Sequence, residues 1–332
     1  MALLSISGFF AAASQAVAQP VVGFSPDVRE RALTEIRAAA QSDSIGQRAN
    51  AAEAVAVARD VRVPALELAL RDEAMPVRFA ALLAIGKAQI RELGPAAAKF
   101  QSDPDLNVRG AAVFAARRTG QPAEMNILGQ MAMSPDVTTR SNAYLILGRL
   151  GDKSAIALLR AAGAKPLDKR TSLSRQAISQ IQLAEALARL GDDDGLRVMR
   201  AAMYERDAEQ RVFAVTLFGD LNDRSFSAAL AAMASEDRPD LPELPVAAAV
   251  SMAKLGDPGG LPRLLEAAEN STIKWNGQTY PASQIQAQAA FGLARLIDPR
   301  AKAALEKLLD HPEAPVRLSA ASSVLRSLAD AR

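Results

Sequence analysis

The chain has 332 residues, 49% of them hydrophobic and only 4% aromatic, and its 39 basic and 37 acidic residues leave a formal charge of +2. So even a balance is far too close to predict nucleic-acid binding from bulk charge, and any basic surface must be local. Cysteine is absent, so there is no disulfide framework, thiolate nucleophile or cysteine metal site; abundant Ala suits short, closely packed helices, and the class is all-α.

The chain opens with MALLSISGFFAAASQAVAQP and carries no charge before Asp27. An apolar stretch from Ala2 to Ala13 leads to the small-x-small triplet Ala16-Val17-Ala18. Residues 1–18 resemble a secretory signal peptide cleaved after Ala18, which implies a periplasmic or secreted protein with no membrane span in the mature chain. An uncleaved anchor and an apolar cap on the following structure are the other readings. Without a signal, the chain is cytoplasmic.

Residues 19–332 follow one pattern. The segment RSNAYLILGRLGD, Arg140 to Asp152, returns with first positions at Arg48, Arg78, Arg109, Gln180, Arg211, Pro245, Gln286 and Arg317, so neighbouring copies start 30 to 41 residues apart. A period of this size marks a repeat array, in which each unit buries its apolar face on its neighbours. Within a copy, apolar or small residues recur three, four, seven and ten places after the first, which is one face of a helix. The third place is Ala51, Ala81, Ala112, Ala143, Ala214, Ala248, Ala289 or Ala320, where a methyl lets helix axes approach; Leu183 is the exception.

Asp closes many copies, at Asp60, Asp152, Asp192, Asp223, Asp257 and Asp298, and is a natural N-cap for the amphipathic run that follows. Each unit therefore reads as helix A, a polar turn, helix B and an Asp-capped turn. With a first A helix over about Pro26 to Ala40, nine A–B pairs fill residues 26–331. The predicted architecture is an α-solenoid, a superhelix of about nine units.

The phrases DEAMPVRFAALLAIGK (Asp72 to Lys87), SDPDLNVRGAAVFAARR (Ser102 to Arg118) and HPEAPVRLSAASSVL (His311 to Leu325) resemble HEAT repeats. The spacing and the LGD turns are most similar to the short HEAT-like repeats named after phycobilisome lyases. The resemblance implies a polar ladder between turn Asp and the Arg of each Val-Arg pair, matched by Asp72 with Arg78 and Asp103 with Arg109. It also implies that helix B lines the concave side. Scaffolds, adaptors and a few enzymes share the fold, so it does not decide function.

Two units are about ten residues too long, with inserts at Ala164 to Ser179 and Asn270 to Gln284 between helices A and B. The second reads as a β-hairpin, because Ile273 to Trp275 and Gln278 to Tyr280 flank Asn276-Gly277. Both inserts are expected on one edge of the solenoid, where repeat proteins often bind partners.

No residue pattern assigns catalysis, a cofactor or a metal. The single histidine, His311, suits a turn or helix cap, and Asp192-Asp193-Asp194 suit the positive end of a helix. More informative is a row nine places after each first position: Lys87, Arg118, Arg149, Arg189, Lys254, Arg295 and Arg326, interrupted by Val57 and Asp220. Cations in the last helical turn also suit the helix dipole. Position five on the same face gives Leu83, Phe114, Leu145, Val250 and Phe291, interspersed with Glu53, Glu185, Thr216 and Ser322. These apolar members either pack between units or form a strip beside the basic column.

The expected function is a non-enzymatic protein-binding scaffold or adaptor that engages a protein partner, such as an acidic or amphipathic segment, through the concave groove and the edge inserts. Its candidate binding residues are Leu83, Lys87, Phe114, Arg118, Leu145, Arg149, Arg189, Phe291, Arg295, Trp275 and Tyr280. The rivals are a chromophore lyase or lyase subunit of the HEAT-repeat type, and nucleic-acid binding through the basic column in the manner of HEAT-like alkylpurine DNA glycosylases. The near-neutral charge disfavours the last.

Overall fold

Helices alternate through residues 23–237 and 241–330, the part of the chain that the computed structural model describes. The leader at residues 1–18 lies outside the described residues. The A helices are α1 (Pro26–Ala40), α3 (Arg62–Leu70), α5 (Gly94–Ala98), α7 (Asn126–Ala132), α9 (Ala155–Ala164), α11 (Asp193–Ala202), α13 (Ser227–Ala234), α15 (Leu261–Glu269) and α17 (Pro299–Leu308). The B helices between them are α2 (Ile45–Val55), α4 (Met75–Ala88), α6 (Leu106–Thr119), α8 (Val137–Leu150), α10 (Leu173–Arg189), α12 (Ala208–Phe218), α14 (Glu243–Lys254), α16 (Ser283–Leu293) and α18 (Ala314–Asp330). Among the described residues the array is an all-α solenoid of nine pairs, and no helix is long and apolar enough to cross a membrane.

The pattern in the sequence explains the packing. Every Ala at the third place is at most 1% exposed. Leu66, Leu128, Leu159, Leu230, Leu264 and Leu305 anchor the A helices in the same continuous core; full burial of each stabilises by roughly 1.5–3 kcal/mol before entropy is counted. Glycine allows the closest approaches between B helices. A Cβ on Gly148 of α8 would stand 2.8 Å from the Ala186 Cα of α10, and one on Gly86 of α4 would stand 2.5 Å from the Phe114 ring of α6.

The closing aspartates cap the turns as anticipated, with one exception. Backbone amides of Ser154, Gly195, Ser225, Gly259 and Arg300 donate to Asp152, Asp192, Asp223, Asp257 and Asp298 at 2.8–3.0 Å. Asp60 instead takes an ion pair from Arg29 at 2.5 Å, and α3 has Val61 at its N-cap.

The polar ladder exists, but its carboxylate pairs run one unit ahead of those the resemblance implied. Arg78 donates to the backbone oxygens of Asp72 and Glu73 in its own turn, while its Nε reaches the Asp103 carboxylate of the next unit at 3.0 Å. Asp72 is paired with Arg48 of the preceding unit at 2.7 Å. That guanidinium, donating to the Asp72 carboxylate, holds its acid constant below the usual carboxylate range. Arg109 bonds the carbonyl oxygen of Asp103 rather than its carboxylate. Buried Arg140, in the fourth unit, meets no Asp there: it donates to the carbonyls of Ala162 in α9 and of Lys165 and Pro166 in the insert that follows.

The ladder also closes on itself. Arg317, in the last unit, bonds His311 and Pro312 carbonyls of its own turn, and its Nε reaches Glu35 of α1 at 2.9 Å. Each B helix packs on the next, and α18 packs on α1 and α2, so that the first unit follows the ninth as a tenth would. Arg31 pairs with Asp310, and the Lys302 ammonium lies 5.7 Å from the Phe24 ring centre. The superhelix is therefore a closed ring with the nine B helices inside.

Candidate functional site

Ring closure changes what the inner face can be. The helices alternate in direction, so all A-to-B turns lie on one rim and the C-terminal ends of all B helices on the other. Position nine falls in or just after the last turn of each B helix, and the ring gathers these positions around one central opening. They border a recess of about 620 Å³ at the mouth of a lumen, where an open superhelix would present a long groove.

All seven cations of the basic row line this recess: Lys87, Arg118, Arg149, Arg189, Lys254, Arg295 and Arg326. Glu53 and Asp220 lie among them, and the buried Glu185 pairs with Arg189 from one helical turn earlier. Lys87 reaches Glu53 at 3.4 Å, and Lys254 reaches Asp220 at 2.9 Å. Among the described residues, the cations at this mouth outnumber the carboxylates. Arg118 Nε meets the Gly86 carbonyl at 3.5 Å. The Nε of Arg149 is buried and has no hydrogen-bond partner among the described residues.

The field in the recess reaches across the ring. Burial holds the Lys87 ammonium below its ordinary acid constant; Arg149, two units on, and Arg326, in the last unit, push the same way against Glu53. Burial likewise lowers Arg149, with Arg189 adding to it and Glu185, Asp220 and Glu53 opposing.

The apolar strip divides. Leu83 and Phe114 are 3% and 2% exposed, so they serve mainly as packing between units, although Phe114 shows an edge to the recess. Leu145 is half-buried against the core and does not line the recess. Phe291 is 43% exposed and lines it, together with Val57 and Val250. Sequence reasoning singled out five of the seven cations for binding and left out Lys254 and Arg326. Their places in the repeat were the available signal.

The hairpin is on the opposite rim. Its strands are β1 (Thr272–Trp275) and β2 (Gln278–Pro281), with Ile273 opposite Tyr280 and Trp275 opposite Gln278. Asn276 and Gly277 take positive φ, as the tight turn requires. Trp275 and Tyr280 lie diagonally on one face with ring centres 6.1 Å apart. Beneath this hairpin a second recess, of about 720 Å³, is lined by Ile273 and Trp275 with Val246, Ile285, Arg263 and Lys274, and edged by Glu236 and Asp237. Nothing periodic marked Val246, Ile285 or Arg263, because the insert, and not the repeat, assembles this site. The other insert joins the same rim and is tied down by the Asp168 amide on the Pro135 carbonyl at 3.0 Å.

Groups that could suggest catalysis are engaged elsewhere. His311 Nδ1 accepts from the Glu313 amide at 3.1 Å within its turn. Asp192 caps α11 and pairs with Arg160, and Asp194 pairs with Arg160 and Arg197.

Residues 93–179, from the third unit into the fifth, match the family model for HEAT repeats. That stretch of the chain is made of HEAT repeats. Solved structures similar to this chain include human deoxyhypusine hydroxylase in complex with glycerol, 16% identical, with 91% of this chain and 97% of that chain covered and a TM-score of 0.38. Another is the complex of CpcE and CpcF of phycocyanin lyase from Nostoc, 19% identical, with coverage of 98% and 100% and a TM-score of 0.33. Comparison with curated proteins gives no match.

Proposed function

We propose that this ring is a non-enzymatic protein-binding scaffold that takes its partner on the rim bearing the two inserts. The observation that carries the reading is the hairpin, which holds the chain's only Trp over a recess of about 720 Å³ and leaves Tyr280 37% exposed. Trp and Tyr bring large contact areas at small cost in conformational entropy and are enriched where interfaces concentrate their energy. The recess suits an apolar anchor on an amphipathic partner segment, with Lys274 on one side and Asp237 on the other to fix its charges. The engagement of His311 and Asp192 in local capping supports a binding role over a catalytic one.

The test is a photo-crosslinking amino acid at Thr279 of β2, with captured partners compared between the parent protein and the Trp275→Ala/Tyr280→Ala variant. A partner lost from the variant, with helical content and melting unchanged, supports the reading. Identical capture by both overturns it.

A further inference from the structure

We propose that the central lumen binds a small, multiply phosphorylated anion, held by arginines from several non-adjacent units at once. This goes beyond the scaffold reading, because it concerns the opposite rim and stands whether or not the hairpin takes a partner.

The strongest competing account is that each basic residue at position nine merely offsets the negative end of its own helix. That account is satisfied by side chains splayed into solvent, each beside its own helix end, where their long stems allow the charge to stay hydrated. Here the charged ends converge on one recess, and cations of the fourth and last units oppose the charge of Lys87 in the second. Arg149 has a buried Nε without a hydrogen-bond partner among the described residues, a cost of roughly 1–3 kcal/mol for such a group unless a ligand meets it. A chain gains nothing from gathering like charges in a half-enclosed site unless something of opposite charge enters it.

Size and charge narrow the class. A recess of about 620 Å³ is in the usual range for small-molecule sites, and too small for a folded segment or a duplex. Among the described residues the cations there outnumber the carboxylates, and that positive field must be met within this volume. Phosphates carry up to two charges each, so they meet it with about half as many groups as carboxylates would need in the same space. Five of the seven cations are Arg, whose planar fork binds phosphate oxygens in pairs. Val250 and Phe291 supply apolar wall for the ligand's carbon frame.

The experiment is calorimetry and thermal melting of the full chain with inositol hexakisphosphate and tripolyphosphate, at about 150 mM salt so that loose surface binding is screened. Benzenehexacarboxylate is the carboxylate counterpart. The expected result is one phosphorylated ligand per chain, a raised melting temperature, and weaker binding of the carboxylate. Arg149→Met should weaken binding by about tenfold or more, while the ligand-free chain melts at the same or a higher temperature, since a repelled charge has been removed. Arg149→Lys should recover part of the affinity, and Arg197→Met, on an exposed outer helix, should leave it unchanged. No melting shift at millimolar ligand, several ligands per chain, or equal binding of the carboxylate overturns the proposal. So does an Arg149→Met chain that melts earlier yet keeps the full ligand shift, for that cation would then be structural only.

Discussion

Arg317→Met gives the sharpest test of ring closure. The substitution removes the 2.9 Å pair with Glu35 on α1 and two bonds, at 2.8 and 2.9 Å, to carbonyls of its own turn. Both side chains of the pair are about one-quarter exposed, so the ion pair contributes near the upper end of the surface range, about 1 kcal/mol. The carbonyls regain water, and their loss adds about 1 kcal/mol more. The total, about 2 kcal/mol, corresponds to roughly a thirtyfold rise in local opening. Hydrogen exchange followed by mass spectrometry reads this directly. In an open solenoid the faster exchange is confined to α17 and α18. In the ring it also reaches α1, which lies at the other end of the chain, and Glu35→Gln produces the same two-ended pattern, with the double variant showing less than the sum. Exchange in α1 that does not respond to Arg317→Met refutes closure.

Further outcomes follow from single contacts. Gly148→Ala should destabilise by about 1–3 kcal/mol in urea denaturation, because its Cβ meets backbone of α10 at 2.8 Å, whereas Gly129→Ala, with open space around it in α7, should stabilise by about 0.5–1 kcal/mol. Asp72, held low by Arg48, Asp192, held low by the Gly195 amide, and Asp168, held at about 2 by Arg170, all have native acid constants below their unfolded values. Their contribution is therefore complete above about pH 4 and is lost as pH falls through the native values. Melting followed against pH should show that acid limb, and Asp72→Asn should make it shallower. If the leader is removed after Ala18, the intact mass of protein from the native envelope fraction begins at Gln19; a full-length mass there counts against export by a cleaved signal.

The sequence alone determined the unit and its phase. Ala at the third place, Asp at the unit ends and Asn276-Gly277 in the hairpin act through their own turn or the helix next to it, so spacing was enough to read them. The basic row was legible for the same reason, since a repeat places equivalent residues at equivalent points. What those points surround was decided only by tertiary structure. Curvature is a small rotation per unit, set by contacts such as Gly86 on Phe114 and Gly148 on Ala186, and nine such rotations add up to closure. Closure made Arg317 and Glu35 neighbours and turned a concave groove into a lumen with the basic recess at its mouth. It also sorted position five, burying Leu83 while leaving Phe291 at the opening, because local spacing fixes which side of a helix a residue occupies and only the neighbouring helices fix what covers it.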